Sequence, residues 1–148
     1  MAKFLTKPQE KAIVAAIAEA EKQTSGEVRV HLEPSCKTED PIERAKQVFA
    51  ELNMHNTELR NGILVYVATK DHKLAIWGGE GIHEKVGQAF WDNEVALLVK
   101  YFKAGDHETG LTEVIRQIGE RLKEHFPYQN DDVNELPDDI SYGGEDDA

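Results

Sequence analysis

The sequence predicts an α/β fold, a three-layer α/β/α sandwich built on a small mixed β-sheet. Helical and extended patterns alternate in the order helix, strand, helix, strand, strand, helix, helix. The strand–helix–strand connection favours a parallel first pair, and a tight hairpin then adds an antiparallel third strand. Helices before, between and after the strands are typical of a sheet covered on both faces.

The first helix is predicted from its capping residues. Thr6 precedes Pro8 and Gln9, which is the pattern of a capping box with proline in the first turn. Apolar residues at helical spacing continue to Ala20, and Gly26 is predicted to end the helix as a left-handed cap. A second helix begins after Asp40, with an apolar stripe formed by Ile42, Ala45, Val48, Phe49 and Leu52.

The segment Glu27–Glu33 between these helices alternates apolar and polar residues. Its apolar positions are Val28, Val30 and Leu32, and the intervening positions include Arg29 and His31. An alternating pattern predicts a half-exposed strand.

The central part of the chain is predicted to form a β-hairpin. Its strands are Ile63–Ala68, which is almost continuously apolar, and Lys73–Trp77. A polar turn, Thr69–His72, joins them, and a glycine-rich exit, Gly78–Gly81, follows the second strand. A continuous apolar run predicts burial on both faces, so the functional groups are expected at the two ends of the hairpin.

The C-terminal half predicts two helices and an acidic tail. A helical pattern from Gly87 to Gly105 carries Phe90, Leu97, Leu98, Tyr101 and Phe102, and the last helix carries Leu111, Val114, Ile115, Ile118 and Leu122. Residues 1–129 are predicted to form the domain. Residues 130–148 hold eight acids and no base, and we expect this tail to be largely disordered, with docking of Leu136, Ile140 and Tyr142 left open.

Composition limits the classes of partner. The net charge is −11, of which the tail supplies −8, so the body has 20 acids against 17 bases. Nucleic acid is not an expected partner, because binding it requires clustered positive charge. No apolar run approaches the roughly 20 residues that span a bilayer, and no signal peptide is visible. We therefore expect a cytoplasmic monomer without membrane contact, in which the single cysteine, Cys36, is a passive thiol.

The ordered set of short motifs resembles the TPM domain family, in particular its small soluble bacterial members. The motifs are Ser25-Gly26-Glu27, Asn61-Gly62-Ile63-Leu64, Asp71-His72-Lys73, the glycine-rich exit and Phe102–Asp106 with Gly110-Leu111. The resemblance covers roughly Leu5–Phe126. It implies an α/β/α sandwich, binding of metal ions and of calcium especially, and in some members an acid phosphatase activity.

Two segments depart from the family pattern. The family usually has Gly-Tyr-Gly-Leu-Glu after the third strand, where this chain has Gly79-Glu80-Gly81-Ile82-His83. The usual arginine of the turn is replaced by His72.

The acidic residues of the loops are the candidate metal ligands. Hard cations take six to eight oxygens, which carboxylates and turn carbonyls can supply. The candidates are Asp71, Glu80 and Glu84, followed by Glu27, Asp92 and Asp106. Chain direction places Asp71 and Asp106 at the end where the parallel strands finish, the "upper" end, and Glu27, Glu80 and Glu84 at the opposite, "lower" end. The alternative interpretation is an ordinary turn aspartate and solvated acids at a helix start.

The histidines and aromatic residues give weaker signals. His72, His83 and Glu84 have the right chemistry for zinc, but the two histidines lie at opposite ends of the hairpin, so a tetrahedral site is not expected. The other histidines are expected at the surface: His31, His55, His107 and His125. Trp77, Phe90 and Trp91 are expected in the core or in a pocket wall.

The sequence thus predicts a domain that binds divalent cations, with Ca²⁺ favoured over Mg²⁺ or Zn²⁺, as a regulatory or interaction module for a protein partner. The alternative is a metal-dependent acid phosphatase acting on phosphate monoesters. That chemistry would use Asp71 and Asp106 as carboxylates and Lys70 or Lys73 to hold phosphate. Glu80 in the glycine-rich exit would repel a phosphate there.

Overall fold

The computed structural model describes residues 4–56, 60–128 and 140–143. Five helices and four strands follow one another along this part of the chain. In chain order they are α1 (Lys7–Glu21), β1 (Glu27–Glu33), α2 (Pro41–Glu51), β2 (Gly62–Ala68), β3 (Lys73–Gly78), α3 (Glu80–Val86), α4 (Gln88–Lys103), α5 (His107–His125) and β4 (Ile140–Tyr142), with a single 3₁₀ turn at Met54–Asn56.

The sheet has the strand order β3-β2-β1-β4. Strand β1 is parallel to β2, with Glu27 opposite Gly62 and Glu33 opposite Ala68. It is also parallel to β4, whereas β2 and β3 form the predicted antiparallel hairpin. Three parallel strands therefore end together at the upper end, where the β2–β3 turn also lies.

Helices cover both faces of the sheet, which confirms the predicted α/β/α sandwich. The larger core lies between one face and α1, α4 and α5, and it contains Val28, Val30 and Leu32 of β1. The smaller core lies between the other face and α2, and it contains Leu64 and Tyr66 of β2. The capping box of Thr6 and Gln9 at the start of α1 is confirmed.

The prediction that β1 is half exposed is wrong. All its residues except Arg29 are buried, including Glu27, His31 and Glu33 on the polar face. Helix α2 covers that face, and β4 covers the outer edge of the strand. β4 itself comes from the segment predicted as a tail: Ile140 docks in the core, while Tyr142 stays exposed. Leu136, with residues 129–139 and 144–148, lies outside the described residues.

Two local predictions also need correction. Helix α2 does not bury Ile42, which is 36% exposed; Arg44 is buried in its place beside Ala45 and Val48. Helix α1 ends at Lys22 with ordinary right-handed geometry, so Gly26 is not its left-handed cap. Gly26 is needed for close packing, because a Cβ there would lie 2.7 Å from Cδ2 of Leu122.

The chain after the hairpin forms two helices before α5. Gly87, with φ of 75°, separates the short helix α3 from α4. Helix α4 matches the predicted helix, and α3 is an addition that closes the lower end. Among the described residues, no helix combines the length and apolar character needed to cross a bilayer.

Candidate functional site

The β2–β3 turn at the upper end holds Asp71 in a fixed position. One carboxylate oxygen of Asp71 accepts a hydrogen bond from the backbone N–H of Cys36 at 2.7 Å. The backbone N–H groups of Lys70 and Asp71 both donate to the carbonyl of Pro34, at 2.8 and 3.3 Å. The turn is therefore tied to the loop that follows β1, and the exposed carboxylate of Asp71 is oriented by backbone groups.

Asp106 lies at the same upper end, as predicted from chain direction. It is the N-cap residue of α5, but its side chain makes no capping hydrogen bond. The next residue, His107, lines a cavity together with His72 of the turn. The upper end therefore brings the β2–β3 turn and the start of α5 together.

The prediction that His107 is a surface residue is wrong. Its ring stacks on Phe4 with centroids 4.3 Å apart and meets the edge of Phe102 at 4.7 Å. Burial lowers the pKa of His107. The negative charge of Asp106 raises this pKa, and the nearby His72 lowers it further, but burial is the largest effect.

The acidic candidates of the lower end are dispersed. Glu80 is exposed in the first turn of α3, and Glu84 is exposed later in the same helix. Glu27 is buried at the start of β1. Asp92 lies on a different helix, α4, where it is exposed and accepts a hydrogen bond from the side chain of Gln88.

His83 at the lower end is engaged by Trp91. The indole N–H of Trp91 donates to Nδ1 of His83 at 3.0 Å. Because an indole nitrogen only donates, Nδ1 accepts, and a neutral His83 carries its proton on Nε2. Neither nitrogen is then available to a metal without breaking this arrangement, and His72 lies at the other end of the hairpin. This placement argues against a zinc site built from His72, His83 and Glu84.

The predicted metal ligands are not gathered into one acidic cluster. Within residues 4–56, 60–128 and 140–143, no three His, Cys, Asp or Glu side chains come together in a geometry suited to a metal ion. The oriented carboxylate at the upper end is that of Asp71. A carboxylate oxygen is a ligand that suits a hard cation such as Ca²⁺.

A buried ionic network under the upper end was missed by the sequence reasoning. Its centre is Glu33, whose carboxylate receives two hydrogen bonds from the Arg44 guanidinium, each at 2.9 Å. The Tyr66 hydroxyl donates to the same carboxylate at 2.6 Å, and the His31 ring lies 3.0 Å from it. Burial favours the neutral acid, but the hydrogen bonds from Arg44, Tyr66 and His31 outweigh burial and lower the pKa of Glu33 to about 2.

The same network attaches β4 to the sheet. Burial lowers the pKa of His31, so the ring is neutral near pH 7. Because the ionised Glu33 only accepts, Nε2 of His31 must donate to it, and Nδ1 then accepts from the Ser141 hydroxyl at 2.9 Å. The expectation that His31 is a surface residue is therefore wrong, since it links Glu33 to the last strand.

The positions of Arg44 and Tyr66 in the sequence indicate this network. Arg44 precedes Val48 by four residues and therefore lies on the same face of α2 as this core residue. Tyr66 is the one polar-tipped side chain in the apolar run of β2, and a buried tyrosine hydroxyl needs a partner. Together these positions point to an acid on the neighbouring strand.

The network also supports the Asp71 turn. The carbonyl of Glu33 accepts from the backbone N–H of Thr69 at 2.8 Å. Pro34, which follows Glu33, is the residue whose carbonyl holds Lys70 and Asp71. Anchoring the Glu33 side chain therefore fixes the backbone on which the Asp71 turn is built.

Glu94, which the sequence did not single out, and the two tryptophans contact other side chains of the fold. Glu94 is buried between α4 and α5, and burial together with the Glu113 charge raises its pKa to about 7. The Gln117 amide, oriented with its nitrogen towards Glu94, donates to that carboxyl at 2.7 Å. Trp91 is a core residue, and Trp77 lines a lower-end cavity with His83, as expected for a pocket wall.

Comparison with known proteins points to one family. The family model described as TPM domain matches residues 1–121. The NMR structure of BA42 protein from Bizionia argentinensis is 45% identical, has a TM-score of 0.89, and is matched over 97% of this chain and 98% of its own. A search of curated proteins finds no match.

Two more distant structures share the fold. The N-terminal domain of cg2496 protein from Corynebacterium glutamicum is 16% identical with a TM-score of 0.63, over 78% of this chain and 72% of that domain. The N-terminal domain of a protein from P. gingivalis is 17% identical with a TM-score of 0.68, over 86% and 83%. At this identity the similarity concerns the fold alone.

Proposed function

The chain belongs to the TPM domain family, and from this premise we propose that it binds divalent cations, Ca²⁺ in particular, at the upper end of the sheet. The observation that supports this proposal best is the fixed carboxylate of Asp71, held by the Cys36 N–H at 2.7 Å. A carboxylate offers about four lone-pair positions, so one backbone hydrogen bond orients it and still leaves it able to ligate a cation.

The surroundings of Asp71 favour the upper end over the lower end. Ligands of open α/β sheets bind where parallel strands end, and β1, β2 and β4 all end here. At the lower end, Glu80 and Glu84 are exposed on the short helix α3, and no backbone hydrogen bond orients either carboxylate among the described residues. The net charge of −11 also attracts cations to the protein as a whole.

Ca²⁺ is better suited than Mg²⁺ to a site with one oriented carboxylate. Ca²⁺ accepts irregular sets of carboxylate, carbonyl and water oxygens, whereas Mg²⁺ demands near-ideal octahedral geometry and dehydrates reluctantly. With a single fixed carboxylate, the affinity is weak, with a dissociation constant on the order of 10⁻⁴–10⁻³ M, as in sites of low ligand charge.

Calorimetric titration with CaCl₂ tests the site. We expect Asp71→Asn to weaken Ca²⁺ binding by roughly tenfold or more, because it removes the fixed negative charge and keeps the hydrogen-bond acceptor. The matched variant Glu80→Gln removes one exposed acid from the lower end and should bind like the wild type. Weakened binding in Glu80→Gln with wild-type binding in Asp71→Asn would place the ion at the lower end and refute the proposal.

The bound ion has a natural role in an interaction module. Backbone hydrogen bonds and the Asp71 carboxylate join the loop after β1 to the β2–β3 turn. A cation ligated by Asp71 and neighbouring carbonyls would order both loops together, and we propose that the ordered loops form the surface recognised by a protein partner.

The second candidate is metal-dependent hydrolysis of phosphate monoesters at acidic pH. The placement of Asp106 at the same end as Asp71 favours it, since two carboxylates can hold a metal that activates water. An assay of the same variants with a chromogenic phosphate monoester separates the two candidates. Hydrolysis that Asp71→Asn leaves unchanged would not belong to this site, whereas its loss without loss of folding would favour the enzyme.

A further inference from the structure

A cavity of about 380 Å³ lies at the upper end, between the sheet and the junction of α4 with α5. Its inner wall is apolar and includes the buried Val67 and Ala68 together with Leu74, Val99 and Phe102. Pockets that hold small molecules usually measure 300–1,000 Å³ and are mostly apolar with a few polar groups. The volume of this cavity lies in the lower part of that range, which suits a small organic ligand.

The polar groups of the cavity are mainly basic. Lys103 at the end of α4, His72 of the turn and His107 at the start of α5 all line it. Lys103 and His72 are exposed, so they lie towards the solvent side, whereas Val67 and Ala68 form the floor. His107 is clamped between Phe4 and Phe102. The cavity therefore has a basic rim above an apolar floor.

We propose that this cavity binds a small amphipathic organic anion, with its apolar body on the floor and its single acidic head group at Lys103. The lysine ammonium offers three donors to a carboxylate or phosphate. The N-terminus of α5 adds positive potential at this end of the cavity, and the neighbouring Asp106 carboxylate opposes it. Burial of the apolar body on the floor contributes favourably to binding, and the entropic cost of association offsets part of that contribution.

NMR titration with octanoate, octyl phosphate and octanol in buffer containing EDTA tests this proposal independently of the cation site. We expect both anions to shift the amides of residues 67–69, 99–103 and 107, and to bind more tightly than octanol. Lys103→Glu should weaken anion binding by roughly five- to tenfold, since a part-exposed attraction becomes a repulsion. The matched control is Lys100→Glu, an exposed position of α4 that does not line the cavity.

Each outcome decides the proposal. Tighter binding of octanoate identifies a carboxylate ligand, and tighter binding of octyl phosphate identifies a phosphate ester; either result supports an anion site. Equal binding of octanol, shifts outside the cavity, or equal weakening by Lys100→Glu and Lys103→Glu would overturn it. Failure of the calcium titration leaves this result unaffected, because EDTA removes the cation.

Discussion

Arg44→Met is expected to lower the free energy of unfolding by roughly 3–5 kcal/mol, the cost of removing one partner from a buried ion pair. Arg44 is 6% exposed and donates twice to Glu33. Methionine fills much of the space but donates nothing, so it leaves a buried carboxylate with only Tyr66 and His31. Urea unfolding at pH 7, followed by circular dichroism, measures the loss.

The control for this prediction is Arg116→Met. Arg116 also contacts two carboxylates, those of Glu113 and Glu120, but its side chain is 54% exposed on α5. Exposed pairs of this kind are worth about 0–1 kcal/mol, so the variant should unfold close to the wild type. Similar losses in Arg44→Met and Arg116→Met would contradict the central position of the Glu33 network.

Glu33→Gln is expected to be less stable than the wild type by roughly 3 kcal/mol at pH 6, and the difference should vanish as the pH falls. The folded chain lowers the pKa of Glu33 to about 2, from the ordinary value of 4.5 for a glutamate, because Arg44, Tyr66 and His31 donate to the carboxylate. Because the pKa of Glu33 is lower in the folded state, the unfolded chain binds the proton at a higher pH than the folded chain does. The stability due to Glu33 is therefore complete above pH 4.5 and is lost as the pH falls through 4.5 towards 2.

Chemical denaturation of the wild type and of Glu33→Gln between pH 2 and pH 7 gives the difference in unfolding free energy at each pH. The exposed residue Glu43 of α2 supplies the matched substitution, Glu43→Gln, which removes one acid without touching the network. A stability difference for Glu33→Gln that stays constant across this pH range would show that the carboxylate charge is not what stabilises the fold.

Short-range patterns predicted most of the elements. The Thr6 capping box, the stripe of Val48 and Phe49 on α2, and the apolar run of β2 each depend on neighbours in the chain, and the structure confirms them. The parallel pairing of β1 with β2 followed from the handedness and length of the crossover. These features need no knowledge of distant contacts.

Long-range contacts account for what the sequence reasoning missed. Alternation in β1 indicated an exposed face because His31 and Glu33 are polar, but their partners Arg44, Tyr66 and Ser141 are supplied by three other elements. β4 is only three residues long and follows an acidic segment, so its pairing with β1 had no periodic signal. A polar pattern cannot distinguish solvent from a buried partner.

The sequence predicted candidate metal ligands at both ends of the sheet. The structure shows how the carboxylates at the two ends differ. Asp71 is oriented by Cys36 and Pro34, residues of another loop, while Glu80 and Glu84 lie exposed on a short helix. Sequence order indicated which groups share an end of the sheet. It did not indicate which carboxylate is held in place, because the hydrogen bond from Cys36 spans 35 residues.

Residue-specific amide shifts during a Ca²⁺ titration test whether a calcium site lies at the Asp71 turn, because they locate the ion. We expect saturable shifts at Glu33, Ser35 and Cys36 in the loop after β1 and at Thr69–Lys73, with residues 78–84 unchanged. In Asp71→Asn the same shifts should require roughly tenfold more Ca²⁺. Saturable shifts confined to residues 78–84, or small shifts spread evenly over the chain, would contradict a calcium site at the Asp71 turn.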